Sequence, residues 1–198
     1  MAFLNTASIR IVLASQSPRR IELIKKVVSH FEVCTSSIDE NDCSALAPIE
    51  LVQTLATRKA EEVAKNIPEG IIIGADSVVV MNGQVLGKPI HAADSYKMLS
   101  MLSGARHQVY TGFSIITMPD HKIHSDYEVT DVRFRDLETS EIEKYIDSGQ
   151  PRDKAGSYGI QDEGAVFVQS INGCYYNVMG LPVTKLYLAL KRILTDRR

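Results

Sequence analysis

An α/β fold built on a mixed β-sheet follows from three features of this sequence. Amphipathic segments of helix length alternate with short apolar runs. Two adjacent hairpins, turning at Asn82-Gly83 and at Pro119-Asp120, argue against a purely parallel sheet. The 198 residues, 44% apolar and 23% charged, are enough to bury a sizeable core without disulfides, as one compact domain or as two small lobes around a cleft.

The elements follow in chain order. Residues 9–14 read as a short buried strand, and SQSPRR (15–20) follows at once. Pro18 suits a first helical position, with Ser17 as N-cap ahead of Ile21, Ile24, Val27 and Val28. A second strand is predicted over 31–36, running into the acidic segment IDEND (38–42). Residues 48–64 form a helix with Val52, Leu55, Ala60 and Val63 on one face. GIIIGADSVVVM (70–81) is the most apolar strand candidate; Asn82-Gly83 gives a two-residue turn and 84–86 the return strand. A helix over 91–103 is closed by Gly104, and two long strands are predicted at 107–118 and 122–134. Ser140 and Glu143 have capping-box spacing for a helix ending near Gly149. A glycine-rich loop (150–160), a strand (164–170), a turn at Asn172-Gly173 and a terminal helix from Pro182 complete the chain. There is no internal repeat, low-complexity tract or obvious linker.

Composition narrows the function classes. A net charge of −2 argues against a nucleic-acid-coating protein, which needs a basic excess to neutralise phosphates. Cys34, Cys43 and Cys174 are odd in number, far apart and form no CxxC pair, so neither a disulfide framework nor a zinc site is expected. The first apolar run, at 9–14, is interrupted by Arg10 and too short for a signal peptide or a membrane span, so a cytoplasmic protein is expected. The P-loop, GxGxxG, HExxH and GxSxG patterns are all absent, and the histidines His91, His107, His121 and His124 lack ligand spacing.

Several residues stand out chemically. Arg19 and Arg20 sit at a helix start, the end that favours anions, with the hydroxyls of Ser15 and Ser17 nearby; they bind phosphate or form a solvated surface pair. Asp76 interrupts a run, 71–79, that is otherwise apolar or small apart from Ser77. Burying a carboxylate there costs several kcal/mol unless it is stabilised. Asp76 is therefore expected to end the strand at a cleft, serving a metal or a proton transfer, or else to sit in a bulge satisfied by backbone N–H groups. Lys59 projects from the apolar stripe of its helix and either snorkels to solvent or reaches an anion. Lys88, just past the hairpin, and Glu40, in the acidic loop, are ordinary loop residues unless they meet Asp76, where Glu40 would help hold Mg²⁺ or Mn²⁺. Residues 151–161 mix glycines, which permit close backbone approach, with Gln161, whose amide can read a base edge.

The motifs LASQSPRR (13–20) with EL (22–23), GADSV (74–78), GKP (87–89), MLSMLSG (98–104), DKAGSYGIQ (153–161) and NVMGLP (177–182) together resemble the signature of the Maf family, in the family's order and over nearly the whole chain. The resemblance implies one Maf-like domain over residues 1–198, with an elongated mixed sheet flanked by helices, two lobes around a cleft, and a fold shared with inosine triphosphate pyrophosphatases. It also implies a homodimer that hydrolyses a nucleoside triphosphate between the α and β phosphates with Mg²⁺ or Mn²⁺. By motif, Asp76 would be the general base and a metal ligand, with Glu40 an assisting carboxylate. Arg19, Ser77 and Gln161 match positions tied to substrate choice, and Ser15, Arg20, Lys59 and Lys88 would line the phosphates.

The DKAGSYGIQ stretch resembles the branch acting on dTTP and UTP. Two departures from the pattern concern substrate choice: Ser77 stands where threonine is usual, and Asp162-Glu163 follows Gln161 where glycine is typical. Two rivals use the same residues. One is a nucleotide-sensing regulator of cell division with negligible turnover, and the other a monophosphatase or nucleotidyltransferase.

Overall fold

The most apolar stretch of the chain becomes a strand with the predicted bounds, β3 (Gly70–Met81), buried along almost its whole length. The computed structural model describes Leu4, Thr6, residues 9–39, Cys43 and residues 46–196. In chain order the other elements are β1 (Ile11–Ala14), α1 (Pro18–Ile24), β2 (Glu32–Val33), α2 (Pro48–Ala64), β4 (Gln84–Leu86), α3 (Ala92–Leu102), β5 (Arg106–Met118) and β6 (Lys122–Phe134). These are followed by α4 (Thr139–Asp147), β7 (Val168–Asn172), α5 (Tyr175–Met179) and α6 (Val183–Asp196). The strands form a seven-stranded sheet in the order β2-β1-β3-β5-β6-β7, with β4 paired to β3. It is mixed: β1 runs parallel to both β2 and β3, whereas β3/β4 and β6/β7 are antiparallel. No helix among the described residues is long and apolar enough to cross a membrane.

The chain divides into two compact units. The first takes Met1–Asp76, Thr111–Glu128 and Gly180–Arg198; the second takes Ser77–Tyr110 and Val129–Met179. In the first unit, Val12, Ala14 and Ile72 of the sheet pack with Ala60, Val63 and Ala64 of α2, and with Ile67 and Ile116. In the second, Leu99 and Leu102 of α3 and Ile142 and Tyr145 of α4 pack with Val109, Val132, Phe134, Tyr158 and Phe167. Rings meet edge to face in this core: Phe134 lies 4.7 Å from Tyr158, and Tyr145 lies 5.1 Å from Phe167.

Four local expectations are corrected. β2 is two residues long and exposed, not a strand over 31–36. Beyond it the chain is drawn to α2, where Glu62 accepts from both the Ser37 N–H and hydroxyl, at 2.7 and 2.8 Å. The cap of α4 is Glu138 with Glu141, not Ser140 with Glu143. Arg135 explains the choice: its guanidinium grips both oxygens of Glu141, which holds that carboxylate at the third helical position. Residues 163–167 form a 3-10 turn, so the last strand begins only at Val168, and α5 after it was not foreseen. Finally, Asp76 does not end β3, which continues to Met81.

Candidate functional site

The first unit holds the clearest chemical arrangement, and two glycines explain it. A Cβ on Gly74 would lie 2.1 Å from the Ala56 carbonyl oxygen, and one on Gly112 would lie 2.5 Å from the Val52 carbonyl carbon. Helix α2 therefore rests directly on the backbones of β3 and β5, closer than any side chain would allow. Gly74 and Asp76 are two residues apart, so both face the same side of β3. Lys59, within a turn of Ala56 and beside Ala60, is carried to that face. Its Nζ donates to Asp76 Oδ1 at 2.6 Å, with the two side chains only 14% and 11% exposed.

This contact explains why Asp76 leaves β3 intact. The carboxylate finds its counter-charge across the helix–strand interface, so the backbone needs neither a bulge nor an end to satisfy it. It also decides between the two expectations for Lys59: the ammonium reaches an anion rather than open solvent.

Ser15 and the two arginines follow β1, whose Ala14 lies opposite Gly74 in the parallel ladder. Ser15 is buried, and its Oγ accepts from the Ser17 N–H at 3.2 Å. The Ser17 side chain makes no capping bond to α1. Pro18 opens the helix, no acidic residue stands in its first turn, and Arg19 and Arg20 are half-buried. Arg20 Nε donates to the Gly180 carbonyl at 2.9 Å, which ties the guanidinium to the chain ahead of α6. Glu40 lies outside the described residues.

The second unit carries Ser77, Lys88 and Gln161. Ser77 is half-buried in β3, while Lys88 and Gln161 are exposed. The loop of Lys88 is fixed by a bond from the Gly156 N–H to the Gly87 carbonyl, at 3.0 Å. Gly156 itself packs on Val79, where a Cβ would come within 3.0 Å of that side chain.

Among the described residues no group of three or more His, Cys, Asp or Glu side chains could cage a metal ion unaided. Mg²⁺ is commonly held by one or two carboxylates together with substrate phosphates rather than by an all-protein cage. A single well-held carboxylate such as Asp76 fits that mode.

Sequence reasoning overlooked the polar network behind Gln161. Lys154 is buried, and its Nζ lies 2.9 Å from Asp153 Oδ1 and 3.3 Å from Asp162 Oδ2. Asp162 Oδ1 also accepts from the Tyr145 hydroxyl. The signal available in the sequence was Asp162 itself, an acid where the motif usually has glycine.

A profile of the family described as "Maf-like protein" matches residues 10–193. A dTTP/UTP pyrophosphatase of Carboxydothermus hydrogenoformans is 51% identical over 92% of this chain and 97% of its own length. A dTTP/UTP pyrophosphatase of Clostridium perfringens is 50% identical over 92% of this chain and 96% of its own. Among solved structures, a HAM1 protein from Coxiella burnetii superposes with a TM-score of 0.53, covering 93% of this chain and 99% of that one at 14% identity. That last likeness concerns the fold alone.

Proposed function

The chain belongs to the Maf-like protein family, and from that membership together with the buried Lys59–Asp76 pair we infer that it hydrolyses nucleoside triphosphates, dTTP and UTP foremost, to the monophosphate and pyrophosphate. The relatives at about half identity are named as dTTP/UTP pyrophosphatases, and they align over nearly their whole length. The observation that carries the reading is the carboxylate held at 2.6 Å from an ammonium in a strand that is apolar or small apart from Asp76 and Ser77. A regulator that only binds nucleotide has no need of such a buried pair, and the relatives' names do not favour it.

In this reading Asp76 is the general base. It takes a proton from the water that attacks the α phosphorus, while Lys59 balances its charge and fixes its orientation. Ser15, Arg20, Lys59 and Lys88 are assigned to the phosphate oxygens, where cations offset the charge that builds on the leaving pyrophosphate. Arg19, Ser77 and Gln161 are assigned to nucleotide choice. Asp76, with Glu40 assisting, would hold Mg²⁺ or Mn²⁺, which would supply further charge neutralisation at the triphosphate. The same reading has residues 1–198 working as one Maf-like domain, in a homodimer in the cytoplasm.

The test is product identification. The purified protein is incubated with dTTP, UTP, CTP, 7-methyl-GTP or ATP in the presence of Mg²⁺ or Mn²⁺. Monophosphate plus pyrophosphate, chiefly from dTTP and UTP, is the expected outcome. Orthophosphate as the product, or tight binding with no turnover, would overturn it.

A further inference from the structure

The segment from Gln150 to Gly164 contains little regular structure beyond short 3-10 turns, yet a closed set of polar contacts holds it. Tyr145 on α4 is at its centre, 3% exposed, with its ring against Phe167. Its hydroxyl accepts from the Gly159 N–H at 3.1 Å and donates to Asp162 Oδ1 at 2.9 Å. The same carboxylate oxygen accepts from the Gly164 N–H at 2.9 Å. The other, Oδ2, faces Lys154 Nζ at 3.3 Å. Lys154 Nζ also donates to the Gln150 carbonyl and to Asp153 Oδ1, with Asp162 as a further ion-pair partner.

Gln161 sits inside this set. Gly159 on one side and Asp162 on the other are both bonded to one hydroxyl, so the chain between them is pinned at both ends. The fit leaves no room for a side chain at Gly159, where a Cβ would lie 2.2 Å from Asp162 Oδ2 and 2.7 Å from Lys154 Cε. The Gln161 side chain is exposed, and the pinned backbone on either side of it sets the point and direction from which it leaves the chain.

We propose that Tyr145, Asp162 and Lys154 are positioning residues that fix Gln161 and thereby set nucleotide selectivity without taking part in phosphate chemistry. The inference rests on the reading of Gln161 as a nucleotide-choice residue. It gives a role to the acid that follows Gln161, which departs from the family pattern. Burial and the neighbouring Asp162 charge push the Tyr145 phenol well above its ordinary range, so it remains a donor throughout the working pH.

The experiment compares wild type with Tyr145→Phe, Asp162→Asn, Gln161→Ala and the Tyr145→Phe/Gln161→Ala double variant, measuring kcat and KM separately for dTTP and CTP. Tyr145→Phe removes one buried hydroxyl and is expected to raise KM for dTTP about fivefold, with kcat within about twofold of wild type and a lower dTTP/CTP preference. Asp162→Asn keeps an oxygen that accepts from Tyr145 and Gly164 but turns an amide NH2 toward the Lys154 ammonium, so it too should lower the dTTP/CTP preference. The double variant should discriminate no worse than Gln161→Ala alone, because both changes act on one group.

Three results would overturn the proposal: an equal loss for both nucleotides in Tyr145→Phe, a fall confined to kcat, or selectivity losses that multiply in the double variant. If Gln161→Ala itself keeps the dTTP/CTP preference, the reading of Gln161 fails and the proposal with it. If Gln161→Ala loses the preference while Tyr145→Phe keeps it, only the positioning role fails. Should Tyr145→Phe not fold, Asp162→Asn decides, with an unchanged KM for dTTP and an unchanged preference counting against the proposal.

Discussion

Among the described residues each unit of this protein holds a largely buried lysine–aspartate pair, and the two are built in different ways. Lys59 and Asp76 stand on a helix and a strand, and their 2.6 Å contact is fixed by the backbone seat at Gly74 and Gly112. Lys154 and Asp162, 3.3 Å apart, stand on irregular chain and are fixed by a polar network that runs through the Tyr145 and Asp153 side chains and the Gln150 and Gly164 backbone. Regular elements locate a reacting group to a fraction of an ångström because their packing resists displacement. A polar network instead fixes a loop that regular hydrogen bonding does not hold. The comparison implies that damage to the first pair costs turnover and stability, whereas damage to the second costs selectivity.

The largest expected effect is at Asp76. Asp76→Asn should lower kcat about 10³-fold, within the range for loss of a general base. The amide oxygen still accepts from Lys59, so circular dichroism and dTTP binding should be largely unchanged. A variant as active as wild type would remove Asp76 from the mechanism.

Next comes the seat itself. Gly74→Ala places a methyl group on the Ala56 carbonyl and should destabilise by about 3 kcal/mol, the upper range for overpacking. If placement depends on this seat, kcat falls along with the melting temperature. A stable, active alanine variant would mean that α2 can lift without disturbing Lys59.

The second unit offers a pH test. Burial lowers the His107 pKa from 6.5 to about 4; its Nε2 meets the Tyr158 hydroxyl at 2.8 Å, and its buried Nδ1 finds no hydrogen-bond partner among the described residues. Between those two values the unfolded chain takes up a proton that the folded chain refuses. Stability therefore rises with pH across that window, and acidification from pH 6.5 to about 4 should cost on the order of 3 kcal/mol. Urea melts at several pH values should show this slope, and His107→Leu should flatten it. An unaltered slope in that variant would assign the effect elsewhere. The fivefold KM change at Tyr145 is smaller still.

Smallest of all is the exposed Arg10–Glu32 pair, at 2.8 Å between β1 and β2. Glu32→Gln should leave the melting temperature within experimental error, as surface pairs usually do. A clear drop would show that the sheet edge matters more than its exposure suggests.

Much of the frame was legible in the sequence because local and tertiary demands coincide there. The bounds of β3 and α2 follow from a long, mostly apolar run and from an amphipathic stripe opened by Pro48. Asn82 and Gly83 turn with φ of 50° and 77°, the left-handed pair that an Asn-Gly hairpin predicts. Other features were settled by distant partners. The α4 cap depended on Arg135, and the early exit from β2 depended on Glu62. At the site, Asp76 was conspicuous from sequence alone because a carboxylate is costly in an apolar run. For Lys59 the sequence left solvent and an unspecified anion open, and that the anion is Asp76 follows only from how close α2 comes at Gly74. The Tyr145–Asp162–Lys154 set was invisible for a further reason: its members are separated by loops whose conformation no periodicity reveals.

The central claim is that water attacks the α phosphorus. Hydrolysis of dTTP in ¹⁸O-enriched water, followed by mass spectrometry of both products, tests it directly. The account predicts that the label enters the monophosphate and that the pyrophosphate remains unlabelled. Label in the pyrophosphate would place the attack on the β phosphorus and contradict the mechanism.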